Sequence, residues 1–145
     1  MKLSVVQLAI AILFLGSVSQ AQVTCDSIAG IAGSYLNSGT ENSIFISDGQ
    51  VYRAFLQDEE AAEFNTTFFG GSTYRIAVSA GQREDYVIFE IWDEQDMLLF
   101  SNVDQSNAPY WDFKITNTLD CIIEANLNPN NSASGCAVLL VGFKQ

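Results

Sequence analysis

The sequence predicts an all-β protein, an antiparallel β-sandwich of about eight strands with a short N-terminal helix docked on it. Three observations carry that expectation. Between Glu63 and Asp93, apolar residues recur at every second position in three short runs, separated by Gly70-Gly71 and by the polar stretch Ala80–Asp85. Similar runs continue to the C-terminus, punctuated by Asp, Asn and Gly. The stretch with helical spacing, CDSIAGIAGSYL, precedes all of them.

The chain has 145 residues, a length that suits one domain with a modest core. Its first segment stands apart. Lys2 is followed by an apolar run from Leu3 to Leu15, then by Gly16-Ser17 and by Ser19-Gln20-Ala21, small residues where a signal peptidase would cut before Gln22. Residues 1–21 therefore read as a secretory signal peptide, too short in its apolar run for a membrane span. Residues 22–40 read as a helical segment and 41–145 as the sandwich domain, with no internal repeat or linker. No later segment is long and apolar enough to cross a bilayer, so a secreted, periplasmic or extracellular location is expected.

In Cys25–Leu36, Ile28, Ile31, Ala32, Tyr35 and Leu36 fall on one helical side. Ser43–Ser47 reads as a short edge strand and Gln50–Leu56 as a second strand, followed by the acidic connection Gln57–Glu60. The next strand puts Phe64, Thr66 and Phe68 opposite Glu63, Asn65 and Thr67. Its successor puts Tyr74, Ile76 and Val78 on one face and Thr73, Arg75, Ala77 and Ser79 on the other, the period of a half-buried strand. Val87, Phe89 and Ile91 oppose Tyr86, Ile88, Glu90 and Trp92 in the third, and the three together read as a meander. Met97–Ser101 returns as a strand, and Asn102–Ala108 is a loop. Trp111, Phe113 and Ile115 alternate with Tyr110, Asp112 and Lys114, and Cys121–Leu127 alternates likewise. Beyond the loop Asn128–Ser134, the nearly continuous apolar run Cys136–Phe143 suits a central strand covered on both faces.

Cys25, Cys121 and Cys136 remain after signal removal, and in an oxidising compartment two of them are expected to pair. If Cys121–Leu127 and Cys136–Phe143 form a hairpin, Cys121 and Cys136 lie at opposite ends, roughly 20 Å apart, whereas a disulfide needs Cα atoms within about 7 Å. Cys25 is then the partner of one of them. Cys136 is preferred, because the last strand reads as central and would meet a docked helix.

The composition excludes several chemistries. Histidine is absent, which removes Ser-His-Asp and Cys-His catalysis and imidazole metal sites. No Gly-x-Ser-x-Gly, Cys-x-x-Cys or phosphate-cradling loop is present. The net charge of −11, one unit more negative once Lys2 is removed, opposes binding to nucleic acid or anionic lipid. No enzyme activity is expected and no cofactor. Asp93, Glu94 and Asp96 cluster in one turn and are weak candidates for a structural calcium, against the simpler reading that such a turn caps its own backbone. Trp92 and Tyr110 are the candidate outward aromatics for a binding surface, set against an alternative in which Trp92 and Tyr86 lie under the helix.

The segment Phe68-Phe69-Gly70-Gly71-Ser72-Thr73-Tyr74-Arg75-Ile76 resembles the apolar–Gly–x–x–Tyr–x–Ile motif of bacterial pre-peptidase C-terminal domains. Val87–Leu99, Trp111-Asp112-Phe113 and Cys121-Ile122-Ile123 are similar to the strands that follow that motif, so the resemblance spans roughly Gln50 to Phe143. Two features depart from it: Cys121 stands where those domains carry an aromatic, and a helix precedes the sandwich. The chain also looks like small exported bacterial proteins of uncharacterised activity. The resemblance implies a non-catalytic domain of the kind appended to secreted enzymes. The export signal, the sandwich, the missing catalytic residues and the acidic surface point to a secreted module that binds protein or glycan at the cell envelope or outside the cell. The alternatives are a structural subunit of a surface assembly and a small carboxylate-dependent hydrolase.

Overall fold

A computed structural model describes residues 24–39 and 44–144, so the signal segment and Ser43 lie outside the described residues. Among the described residues one helix, α1 (Cys25–Leu36), precedes nine strands: β1 (Ile46–Ser47), β2 (Tyr52–Gln57), β3 (Ala61–Phe68), β4 (Thr73–Ser79), β5 (Val87–Asp93), β6 (Leu98–Ser101), β7 (Tyr110–Lys114), β8 (Leu119–Leu127) and β9 (Ser134–Lys144). A single turn of 3-10 helix at Asn102–Gln105 links β6 to β7. All described pairings are antiparallel. No helix among the described residues is long and apolar enough to cross a membrane.

The strands divide into two layers. In one, β9 is flanked by β4 and, on its other side, by β1 and β2 in succession, with β7 beyond β4; in the other the order is β3-β8-β5-β6. The chain crosses between layers at nearly every connection, and β5–β6 is the hairpin that stays within one. The expected meander is therefore not formed: β3 pairs with β8, β4 with β7 and β9, and β5 with β6 and β8. Nor do β8 and β9 form a hairpin, for the loop between them changes layers. Alternation reports which face of a strand is apolar, and both strands of an arch that bridges two sheets point that face at the same core.

The inter-sheet core contains Phe68, Ile76, Val78, Val87, Phe89, Ile91, Ile123 and Leu139. A second cluster lies on the outside of the β9 sheet, where Ile28, Ala32 and Leu36 of α1 pack on Phe45, Ala77, Val138 and Leu140. Covered by α1 on one side and the opposite sheet on the other, β9 is buried without a break from Cys136 to Gly142. The same cover buries both faces of β4, including Arg75 and Ala77, where alternation alone suggested a half-buried strand. Close approach depends on Gly142: a Cβ there would lie 2.8 Å from Leu36 Cδ1 and 3.1 Å from Phe45 Cβ. Thr24 caps α1 by accepting from the Ser27 N–H. A disulfide joins Cys25 in its first turn to Cys136, with Cα atoms 5.7 Å apart, and Cys121 is a buried free thiol.

Candidate binding surfaces

The two sheets differ on their outer sides. One carries α1; the outer face of β3-β8-β5-β6 is uncovered among the described residues. Its cross-strand register sets Glu63 opposite Glu124 and Glu124 opposite Glu90, a row of three carboxylates. The next row, Asn65, Ile122, Trp92 and Leu98, is largely apolar. Arg53, Arg75, Arg83, Lys114 and Lys144 all lie on the other sheet or on loops, so nothing basic on this sheet answers the row. Partial burial, with Glu90 and then Glu63 alongside, pushes the Glu124 carboxyl up from its ordinary value. Ile122 and Trp92 are half-buried in the apolar row, and the exposed apolar side chains stand at the edge strand, where Met97, Leu98 and Leu99 follow in succession.

A cleft of about 810 Å³ opens on the opposite side, between the last turn of α1 and β7. Tyr35, Tyr110, Glu84, Asp112 and Pro109 line it. The two tyrosine rings lie 6.4 Å apart and within 27° of parallel. Burial, and then the negative Glu84, push the Tyr35 phenol above its ordinary value.

Arg75 builds this wall. Its side chain is 5% exposed, and Nε and Nη2 donate to the two Asp112 oxygens at 2.6 and 2.9 Å. Nη1 donates to the carbonyls of Tyr35 and Leu36 in the last turn of the helix, where the Tyr35 carbonyl also accepts from Ser38. The guanidinium also lies over the rings of Phe45 (4.3 Å) and Tyr110 (4.5 Å). One side chain thus fastens α1 to β4 and fixes Asp112 and Tyr110 in the cleft.

A larger cleft, about 1050 Å³, lies at one end of the sandwich and includes Asp48, Glu94, Asp120, Tyr52 and Phe69. Two of its acids already have local partners. Asp48 accepts from the Gln50 N–H at 2.8 Å, and Asp120 accepts from the Thr67 hydroxyl. Glu63, Glu90 and Glu124 lie outside both clefts, on an open face.

Of the residues singled out from sequence, Trp92 sits on the uncovered face and Tyr110 beside α1, in different sheets, so they form no common aromatic patch. The helix lies over β9 and β4 instead of Trp92 and Tyr86. Tyr86 packs against the inter-sheet core, and the Trp92 Nε1 is buried without an acceptor. Asp93 Oδ1 accepts from the Gln95 and Met97 N–H groups at 2.8 and 2.9 Å, which caps the turn. Among the described residues no group of three or more acidic or thiol side chains is placed to hold a metal. Sequence reasoning passed over Arg75, Tyr35 and the glutamate row. The signal for Arg75 was an arginine between Thr73 and Ala77 on the second face of a strand whose first face was wholly apolar.

Fold and surfaces together define a two-layer antiparallel sandwich with one layer armoured by a disulfide-tethered helix and the other bare. The chain matches no family model and no curated protein. Among solved structures it is similar in fold to PliG of Aeromonas hydrophila, a periplasmic lysozyme inhibitor of g-type lysozyme, with a TM-score of 0.51, 9% sequence identity, and coverage of 74% of this chain and 93% of that one.

Proposed function

We propose that the chain is an exported, non-catalytic module that binds a protein partner through the outer face of the β3-β8-β5-β6 sheet. The observation that carries the reading is the in-register row Glu63–Glu124–Glu90 beside Ile122, Trp92 and Leu98 on a face that α1 leaves open. Like charges directly opposite one another weaken a sheet, so the row has a local cost that a basic partner surface would offset. Exposed apolar side chains rimmed by polar ones are the usual composition of a protein contact. The disulfide Cys25–Cys136 and the fold shared with a periplasmic inhibitor support an extracytoplasmic setting. The resemblance to pre-peptidase C-terminal domains, themselves non-catalytic, agrees with this reading.

The test is surface plasmon resonance of the mature protein against a g-type lysozyme, with affinity capture from envelope extract and a glycan array in parallel. Saturable protein binding that weakens with salt is the expected result. Glycan binding without a protein partner, or turnover of a polysaccharide or peptide that stops when one carboxylate pair is neutralised, would refute it. A second reading, a subunit of a surface assembly, draws on the exposed Met97-Leu98-Leu99 edge, and a concentration-dependent oligomer would favour it.

A further inference from the structure

The cleft beside α1 carries negative charge with no basic residue in its lining. Glu84 and Asp112 are carboxylates. Ser34 Oγ donates to the Ile31 carbonyl at 2.6 Å, which leaves its exposed oxygen free to accept, whereas Ser38 Oγ donates to the Tyr35 carbonyl at 2.8 Å and already accepts from Arg75 Nη1 at 3.3 Å. The cation behind the cleft, Arg75, is committed to Asp112 and to carbonyls, and Arg83, next to Glu84 in sequence, pairs with Asp85 at 3.4 Å. Glu84 is thus the uncompensated charge of the cleft. Tyr35 and Tyr110 stack on each other and Arg75 already lies over the Tyr110 ring, so Tyr35 is the ring left to meet a further cation. Neither phenol has a protein hydrogen-bond partner among the described residues, whereas Tyr52 and Tyr74 both do.

We propose that this cleft receives one cationic side chain, a guanidinium or an alkylammonium, presented by the protein partner. The inference rests on the reading of the chain as a protein-binding module and adds a second, anchoring contact to it. A neutral saccharide would find donors in the two tyrosine hydroxyls but would leave the Glu84 charge uncompensated. Guanidinium carries five N–H donors and ammonium three, and neither accepts. The wall is set in place before any ligand arrives, since Arg75 holds both Asp112 and Tyr110.

The experiment is an NMR titration of the mature protein with a short acetylated peptide containing one arginine, beside the same peptide with citrulline, its neutral isostere. Shift changes at Tyr35, Tyr110 and Glu84, with binding at least about tenfold weaker for citrulline, are expected. Glu84→Gln, on an exposed loop, should weaken arginine-peptide binding about fivefold or more and leave the melting temperature unchanged. Equal binding of the two peptides, perturbation confined to Glu63, Glu90 and Glu124, or a chitin-type oligosaccharide shifting the cleft where arginine does not, would overturn the proposal. If a protein partner binds the open sheet while the arginine peptide leaves the cleft untouched, this inference falls and the proposed function stands. If the peptide fills the cleft and no protein binds, the reverse holds.

Discussion

Arg75 is costly to replace because its charge, its planarity and its length are all used. The guanidinium makes a two-point bond to Asp112, reaches carbonyls of α1 and lies over two aromatic rings. An ammonium reproduces the charge but neither the fork nor the flat face. Arg75→Lys is expected to lower stability by about 1–2 kcal/mol and Arg75→Ala by about 2–4 kcal/mol, less than for a fully buried pair because Asp112 keeps 39% of its side-chain surface in water. Urea denaturation checks both. If Arg75→Lys is neutral, the fork and the stacking contribute nothing. Glu124 has the opposite character. A carboxyl pushed up in the folded state holds its proton to higher pH than in the unfolded chain. The associated stability is complete below the ordinary glutamate value and declines as pH rises through the folded-state value. Glu124→Gln should therefore raise stability at pH 7 by roughly 0.5 kcal/mol, lose that advantage near pH 3, and gain less at high salt. Thermal melts at the two pH values decide it, and an advantage independent of pH would show that charge is not the cause.

At the scale of elements, the helix and the arches account for what was legible in the sequence. The strands could be read because alternation is local: Phe64 and Phe68, Tyr74 and Ile76, and Val87 and Phe89 all face the core as spacing required. Which strands pair is not local. A short glycine turn serves a hairpin or an arch equally, and here Gly70-Gly71 carries the chain across layers, with the Tyr74 hydroxyl accepting from the Phe69 N–H to close the bend. For the same reason the row of Glu63, Glu124 and Glu90 was invisible: each was an outward residue of its own strand, and only pairing through β8 makes them neighbours. Asn102 shows a further limit. In a stretch read as loop, its buried amide accepts from the Phe89 N–H and donates to the Val87 and Ala108 carbonyls, standing in for a strand along the edge of β5. The disulfide follows from the helix lying on β9, as the reading of the last strand as a central one expected, although the hairpin used to set Cys121 and Cys136 apart is not formed. It spans a sequence separation of 111 residues, so Cys25→Ser with Cys136→Ser is expected to cost about 2–5 kcal/mol by restoring freedom to the unfolded chain. Circular dichroism should show native strand content retained with a lower melting temperature. Loss of all cooperative folding would mean that α1 also templates the sandwich.

Over the whole molecule, charge and cover are distributed unequally. The basic side chains collect on the β9 sheet and on loops, while the bare sheet holds Glu63, Glu90, Asp93, Asp120 and Glu124. A face arranged in that way favours fast, salt-sensitive association with a basic surface. It also ties stability to binding, because the carboxylates that repel one another in the free protein are those a partner would neutralise. The most direct measurement compares two variants of equal net charge in surface plasmon resonance against the partner captured by the wild-type protein. One is Glu63→Gln/Glu90→Gln/Glu124→Gln; the other is Asp58→Asn/Glu59→Gln/Glu60→Gln, in the exposed β2–β3 turn. The account predicts that the first melts at a higher temperature than wild type and binds at least about tenfold more weakly, while the second binds within about twofold of wild type. Equal weakening by both variants would reduce the effect to net charge, and unchanged binding by the first would contradict the claim that this sheet is the binding face.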